Sequence, residues 1–319
     1  MHSFNSLLKT DQSFYKKTPL DFRRFSWNGI SFCIPKNWEL SNYKIHKRKG
    51  SKIVIENEYS VKCEGEWVKV SKKEQIDRIL ENYTEASKTY TNHADSHTSL
   101  KNLPKGWSGT HFVFKETATT KSEKMKVFNH DLTTVFYLNE DKSLFCYFLF
   151  HFYPEDNENV FEIIENLADS FEEHSNQKFT PWVLFDLNIK TPSEYVLEKT
   201  DFDIGSKHLL FEWKNRRLFV WHFSCVNMFI KGEITAADWV LSLLKKAKVV
   251  SAINFYITNS GEVNYKRKLN HPLGSFDEII RMCFKYKIVF KLDENKNQLF
   301  VFLFHYRKKD DMVNFSFTD

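Results

Sequence analysis

Glycine is scarce in this chain, with 9 residues in 319, about half the usual share. Phosphate-cradling loops need close backbone approach, so the scarcity argues against them. It also argues against barrels and propellers that place glycine at every corner. No apolar run reaches the length of a membrane span; LFCYFLFHFY, Leu144 to Tyr153, has the length of a strand. The stretch MHSFNSLLKTDQSFYKK lacks the apolar centre of a secretion signal. The five cysteines, Cys33, Cys63, Cys146, Cys225 and Cys283, are far apart, odd in number and never in a CxxC pair. They read as reduced, mostly buried thiols in a cytoplasmic protein. The sequons at Asn82 and Asn314 carry no weight without a secretion signal. No GxSxG, Walker-type or paired-carboxylate pattern is present. No catalytic residue, cofactor or metal is therefore assigned.

Phenylalanine is abundant instead, with 31 residues, which predicts an aromatic core. A net charge of +5 is mildly basic for this length. It permits an acidic partner or nucleic acid, but a nucleic-acid domain usually shows a sharper cluster. The length suits two domains.

One stretch is written twice. VFYLNEDKSLFCYFLFHFYPED, from Val135, returns as VFKLDENKNQLFVFLFHYRKKD, from Val289. Val135, Phe136, Leu138, Phe148, Leu149, Phe150, His151 and Asp156 recur at one constant shift. The opening also recurs. Leu187, Ile189, Pro192, Tyr195 and Leu197 stand where Ile30, Phe32, Pro35, Trp38 and Leu40 stood, and Gly205-Ser206-Lys207 echoes Gly50-Ser51-Lys52. The expected fold is α+β: two tandem duplicated domains, each an antiparallel sheet flanked by helices. Residues 1–20 are read as an irregular arm, 21–174 as the first repeat and 175–319 as the second.

In the first repeat, Ser71-x-x-Glu74 predicts a capped helix with Ile76, Ile79, Leu80 and Tyr83 on its stripe. Residues 87–105 read as a loop. The second run of the Leu132–Tyr153 hairpin is apolar on both faces and is expected at the centre of the sheet. A helix is expected from about Asn157 to Phe171, with Val160, Ile164, Leu167 and Phe171 inward. In the second repeat, Thr235 caps a helix with Val240, Leu243 and Ala247 on its stripe. Ser275-x-x-Glu278 opens a short helix, and no closing helix is read after Tyr306.

Each opening, a strand followed by proline, two residues, an aromatic and a second strand, resembles the start of PsbP-like proteins. The helix IIENLADSF, Ile163 to Phe171, is similar to that family's C-terminal helix. The resemblance implies an α-β-α sandwich and a family mostly of binding and assembly modules. It transfers no catalytic residues.

Several side chains merit a chemical reading. His151 and His305 recur after Phe-Leu-Phe on a buried strand; the favoured reading is packing, with the imidazole bonded to backbone. His93-x-Asp95-x-His97 alternates metal-capable groups but reads as a solvated loop. Cys225 and His222 fall on opposite faces of a strand, so no nucleophile–base pair forms there. Three basic turns remain: Lys44, Lys47, Arg48, Lys49 and Lys52; Lys214, Arg216 and Arg217; and Lys266, Arg267 and Lys268. Basic turns beside aromatics such as Tyr43 and Tyr265 can hold phosphates and stack bases. The expected function is non-enzymatic protein binding or assembly, with a protein partner and no membrane. RNA or DNA binding through the basic turns is the alternative, and an enzyme with its site between the repeats is a third.

Overall fold

Short apolar runs broken by turn residues favour antiparallel strands, and strands dominate the computed structural model, which describes residues 20–46, 50–70, 73–114, 130–156, 158–214, 216–232, 234–246, 256–257, 262–266 and 285–306. The chain divides into two compact units. One is Met1–Asn176 with Pro181–Asp186; the other is Gln177–Thr180 with Leu187–Asp319. Among the described residues there are three antiparallel sheets and few helices.

The first unit runs β1 (Phe22–Trp27), β2 (Ile30–Pro35), β3 (Glu39–His46), β4 (Gly50–Glu56), β5 (Val61–Lys69), α1 (Lys73–His93), β6 (Ser96–Ser99), β7 (Trp107–Val113), β8 (Asp131–Leu138), β9 (Leu144–Phe152), α2 (Val160–Asp169) and β10 (Glu172–Glu173). The strand β11 (Phe179–Leu184) is divided between the units. The part of the small sheet that lies in this unit has the order β10-β2-β1-β11. Its β1–β2 turn uses Asn28 and Gly29, both at positive φ (45° and 92°), the twist that a two-residue hairpin needs. The large sheet has the order β3-β4-β5-β9-β8-β7-β6.

β9 lies fourth of these seven strands and is covered on both faces. On one face Phe32 meets Phe148 edge-on at 5.5 Å, and Trp38 meets Phe150 at 6.4 Å. Ile163, Ile164 and Leu167 of α2 are buried on this side, which also holds Trp107 and Phe171. On the other face Tyr83 of α1 lies 5.1 Å from Phe145 and 4.7 Å from Tyr147. Each fully buried phenylalanine contributes about 1.5–3 kcal/mol of burial free energy. The α1 face is also polar: Tyr83 bonds Glu66, and Tyr90 bonds Tyr147.

The second unit runs β12 (Leu187–Pro192), β13 (Val196–Asp203), β14 (Ser206–Trp213), β15 (Arg216–Ser224), a 3-10 turn (Val226–Met228), α3 (Ala236–Lys246), β16 (Tyr256–Ile257), β17 (Glu262–Lys266), β18 (Lys285–Asp293) and β19 (Gln298–Tyr306). Its sheet has the order β13-β14-β15-β19-β18-β17-β16. That order matches the first large sheet strand for strand, with a helix after the third strand in each. Both edge strands carry an irregularity at matching places, Leu40/Asn42 in β3 and Leu197/Lys199 in β13. Thr235 caps α3 reciprocally: the Asp238 amide donates to Thr235 Oγ1 at 3.1 Å, and that hydroxyl donates to Asp238 Oδ2 at 2.6 Å. Val240 and Leu244 of α3 pack with Phe219, Trp221, Leu299, Val301 and Leu303 of the sheet.

Several local expectations need correction. The stretch 87–105 is not one loop, because α1 continues to His93 and β6 follows. Tyr90 holds this last part of the helix against Phe112 at 5.8 Å, a single anchor among polar residues that leaves little periodicity to read. α2 is shorter than expected. Beyond its end Phe171 turns onto Trp107 and Tyr137, at 5.3 and 4.7 Å. β1 and β11 were not expected as strands; Arg23-Arg24 and Pro181 interrupt their apolar pattern. Residues 1–19, both capping boxes at Ser71 and Ser275, Ala247, and anything after Tyr306 lie outside the described residues. Among the described residues no helix is long and apolar enough to cross a membrane.

Candidate functional site

Among the described residues, the two large sheets differ where their third strand hands over to a helix. In the first unit the Val70 amide donates to the Ser143 carbonyl at 2.7 Å, and α1 begins after two further residues. In the second, the Val226 amide donates to the Asn297 carbonyl at 3.2 Å, but α3 begins only after nine further residues. The extra length is NMFIKGEIT, and its first residues are held to the sheet and to α3. Asn297 and Asn227 are bonded side chain to side chain at 2.8 Å, and the Asn227 amide donates to Asn297 Oδ1 at 2.9 Å. Phe229 stacks on Trp239 at 4.6 Å, and Val226 is buried.

Two apolar side chains of this insertion nevertheless face solvent, Met228 at 70% and Ile234 at 49% exposure. A third, the fully exposed Ile204, lies in the β13–β14 turn. The Ser224 amide donates to the Gly205 carbonyl at 2.9 Å, which ties that turn to the strand end from which the insertion leaves. Cys225, exposed at φ 57°, makes the corner. Ile204 and the start of the insertion thus share one end of the sheet, where Asp201 and Asp203 are also exposed. Exposed methionine and isoleucine on a loop tied to its sheet are set apart from the single exposed apolar side chains of an ordinary surface.

A second constellation lies in the first unit. His130 Nε2 and His151 Nδ1 are 3.0 Å apart, and His151 Nε2 is 3.3 Å from Glu64 Oε1. Lys52 Nζ stands 3.6 Å from Glu64 Oε2, and the His130 ring stacks on Tyr153 at 4.3 Å. The His151 contact, followed by the Lys52 charge, holds the Glu64 carboxyl below its usual range against the opposing effect of burial. Burial, and then the His151 charge, pushes His130 down. His151 is therefore bonded to a side chain, not to backbone as the sequence suggested. Sequence reasoning missed Glu64 and His130, because the three groups come from separate strand positions that no local motif links.

Ser31 Oγ lies 2.7 Å from His174 Nε2 and 2.6 Å from Ser26 Oγ. This resembles a nucleophile and its base, but Ser26 and Ser31 are fully buried and His174 is 3% exposed. A substrate could not reach them, and the three act as a hydrogen-bonded core. Cys63 and Cys146 are buried, and burial raises both thiols well above their ordinary range. Cys33 is half-buried and Cys283 lies outside the described residues.

Of the basic candidates, Lys44 and Lys52 face each other across β3 and β4; Lys47, Arg48 and Lys49 lie outside the described residues. Lys214 and Arg216 both sit over the Trp213 ring, at 5.0 and 4.6 Å, so their cations already occupy that aromatic surface. Arg217 precedes Leu218, which pairs with Phe304; Lys62 precedes Cys63, which pairs with Phe150. Arg217 thus holds the register place of Lys62, a buried cation bonded to Asp156. Lys266 lies on β17, while Arg267 and Lys268 are outside the described residues. His93 ends α1, Asp95 follows it and His97 lies on β6, all exposed. Among the described residues no group of three such side chains is placed to hold a metal.

Compared with known proteins, the chain matches no family model, and no curated protein matches it as a relative.

Proposed function

We propose that this is a non-enzymatic protein-binding or assembly protein, cytoplasmic, built from a duplicated α+β module. Its second copy would dock a partner through the apolar tip of Ile204, Met228 and Ile234. The duplication is supported by the two identical strand orders and by the stretch written twice. The PsbP-like reading draws support from α1 and α2 lying on opposite faces of the first large sheet. The observation that carries the binding reading is the insertion itself. It is present in one copy, braced by Asn297 and Trp239, and leaves its methionine and isoleucine in water. The matching partner is a protein with an apolar face and basic groups at its edge, which would meet Asp201 and Asp203.

The test is affinity capture of the full chain from its native host, with nuclease and at high salt, comparing wild type with Met228→Asp and Ile204→Asp. Tyr59→Asp, at an 88% exposed position in the first unit, is the control. A protein retained by wild type and the control, and reduced at least about tenfold by the tip variants, supports the proposal; tenfold corresponds to about 1.4 kcal/mol. Equal recovery by all four chains overturns it. Capture of nucleic acid that is lost with salt would favour the basic-turn alternative.

A further inference from the structure

The helix-facing side of the first large sheet has a chemistry that its twin lacks. Glu64 pairs with Leu149, and the matching pair in the second unit is Phe219 with Leu303. Lys52 lies one residue before Ile53, which pairs with Gly65; His208 stands in that place beside Leu209, which pairs with Val220. In the sequence, the shift that carries Val135 to Val289 carries His151 to His305 but His130 to Phe284. His151 is therefore shared by the copies, while Glu64, Lys52 and His130 around it belong to the first alone. Inherited packing accounts for His151 and not for its three partners.

We propose that His130, His151 and Glu64 form an acid-sensitive latch that fastens the start of β8 to the end of β9. The geometry dictates how it works. Two imidazole nitrogens 3.0 Å apart share one hydrogen, donated by one ring and accepted by the other. One added proton is tolerated, because an imidazolium can still donate to its neutral neighbour and Glu64 stands beside the pair. A second proton puts N–H against N–H and two positive rings in contact, and the bond must break.

The groups that face the pair are identifiable. Glu64 comes from β5, with Lys52 of β4 and Tyr90 of α1 near its carboxylate; Asp131 opens β8 just after His130, and Tyr153, Glu155 and Asp156 follow β9. Asp156 is already bonded to Lys62, and Tyr147 to Tyr90. At His130, burial and then the neighbouring ring oppose a proton, and outweigh Asp131, Asp156 and Glu155, which favour it. The sign follows. His130 is depressed in the folded chain, so the unfolded chain binds more protons below its ordinary value of about 6.5. The latch is intact above that pH and is lost as pH falls through the depressed value.

The test is amide hydrogen exchange on the full chain at about pH 7.5 and about pH 5, either side of the ordinary histidine value and corrected for intrinsic rates. Wild type is compared with His130→Phe, the residue its twin carries, and with His130→Asn, which can still donate to His151 but cannot titrate. Protection at residues 131–133 and 150–152 is expected to fall at least about tenfold in acid in wild type, and to stay within about twofold in whichever variant folds. Unchanged wild-type protection overturns the proposal. So does an equal acid loss in a folded variant, because the opening would then come from elsewhere. The result is independent of whether the apolar tip binds a partner.

Discussion

A side chain at position 50 has nowhere to go. A Cβ on Gly50 would stand 1.9 Å from the Trp67 carbonyl oxygen, against backbone that cannot give way. Gly205, which the repeated Gly-Ser-Lys sets beside it in sequence although strand register puts Ser206 in the place of Gly50, has φ 78° but nothing nearer than the Ser224 oxygen at 4.0 Å. The two glycines look alike in the repeated Gly-Ser-Lys and differ in cause. Gly205→Ala should cost about 1–2 kcal/mol, the left-handed penalty alone. Gly50→Ala should cost on the order of 3 kcal/mol or more, because strain and a backbone clash add. Urea denaturation reads both as shifts in midpoint at unchanged slope. Equal losses would show that the approach to Trp67 is not as tight as described.

At the level of elements, the turn after β9 is tied to β5 by a buried ion pair. The Lys62 ammonium is bonded to Asp156, whose other oxygen accepts the Tyr153 amide at 2.8 Å. The side chains are 1% and 12% exposed. Asp156→Ala leaves a buried cation alone and should cost about 3–5 kcal/mol. Adding Lys62→Met removes the stranded charge and should recover much of that loss in the same denaturation assay. A double variant no better than Asp156→Ala would mean that Asp156 acts mainly through the Tyr153 amide.

Asp156 was legible as a repeated residue, and β9 was legible as a central strand because apolar residues fill both of its faces. The cap of Thr235 on α3 was legible for the same kind of reason: its partner, Asp238, is three residues away. β1 and β11 were not legible. Their apolar alternation is broken by Arg23-Arg24 and by Pro181, and pairing across the sequence decides their state. The candidate tip was legible only as composition. NMFIKGEIT has no period, and its start is held by Asn297, 70 residues away, while Phe229 stacks on Trp239 of the next helix. The Glu64–His151–His130 cluster was hidden for that reason too, since three strands must assemble before the groups meet.

Across the whole molecule, one strand order carries two different layers beneath its helices. In the first unit Lys52, Glu64 and Glu66 lie among tyrosines; in the second, His208 stacks on Trp221 at 4.9 Å, and Trp221 on Phe219 at 5.6 Å. Both layers nevertheless respond to acid in the same direction. Burial holds His111 and His130 of the first unit, and His208 of the second, below the ordinary histidine value. Asp131 opposes the shift at His111 and Asp201 opposes it at His208, but burial is the larger cause in each. At these three rings the folded chain holds fewer protons than the unfolded one just below about pH 6.5, so their contribution to stability falls as pH drops through that range. The urea midpoint is expected to be lower at about pH 5 than at about pH 7.5, before carboxylates begin to protonate. His208→Phe preserves the stack with Trp221 and removes one of the three groups, so it should flatten the pH dependence without lowering the midpoint at neutral pH. A midpoint that holds or rises on acidification would mean that these rings are protonated in the folded chain, and would count against the burial assigned to all three.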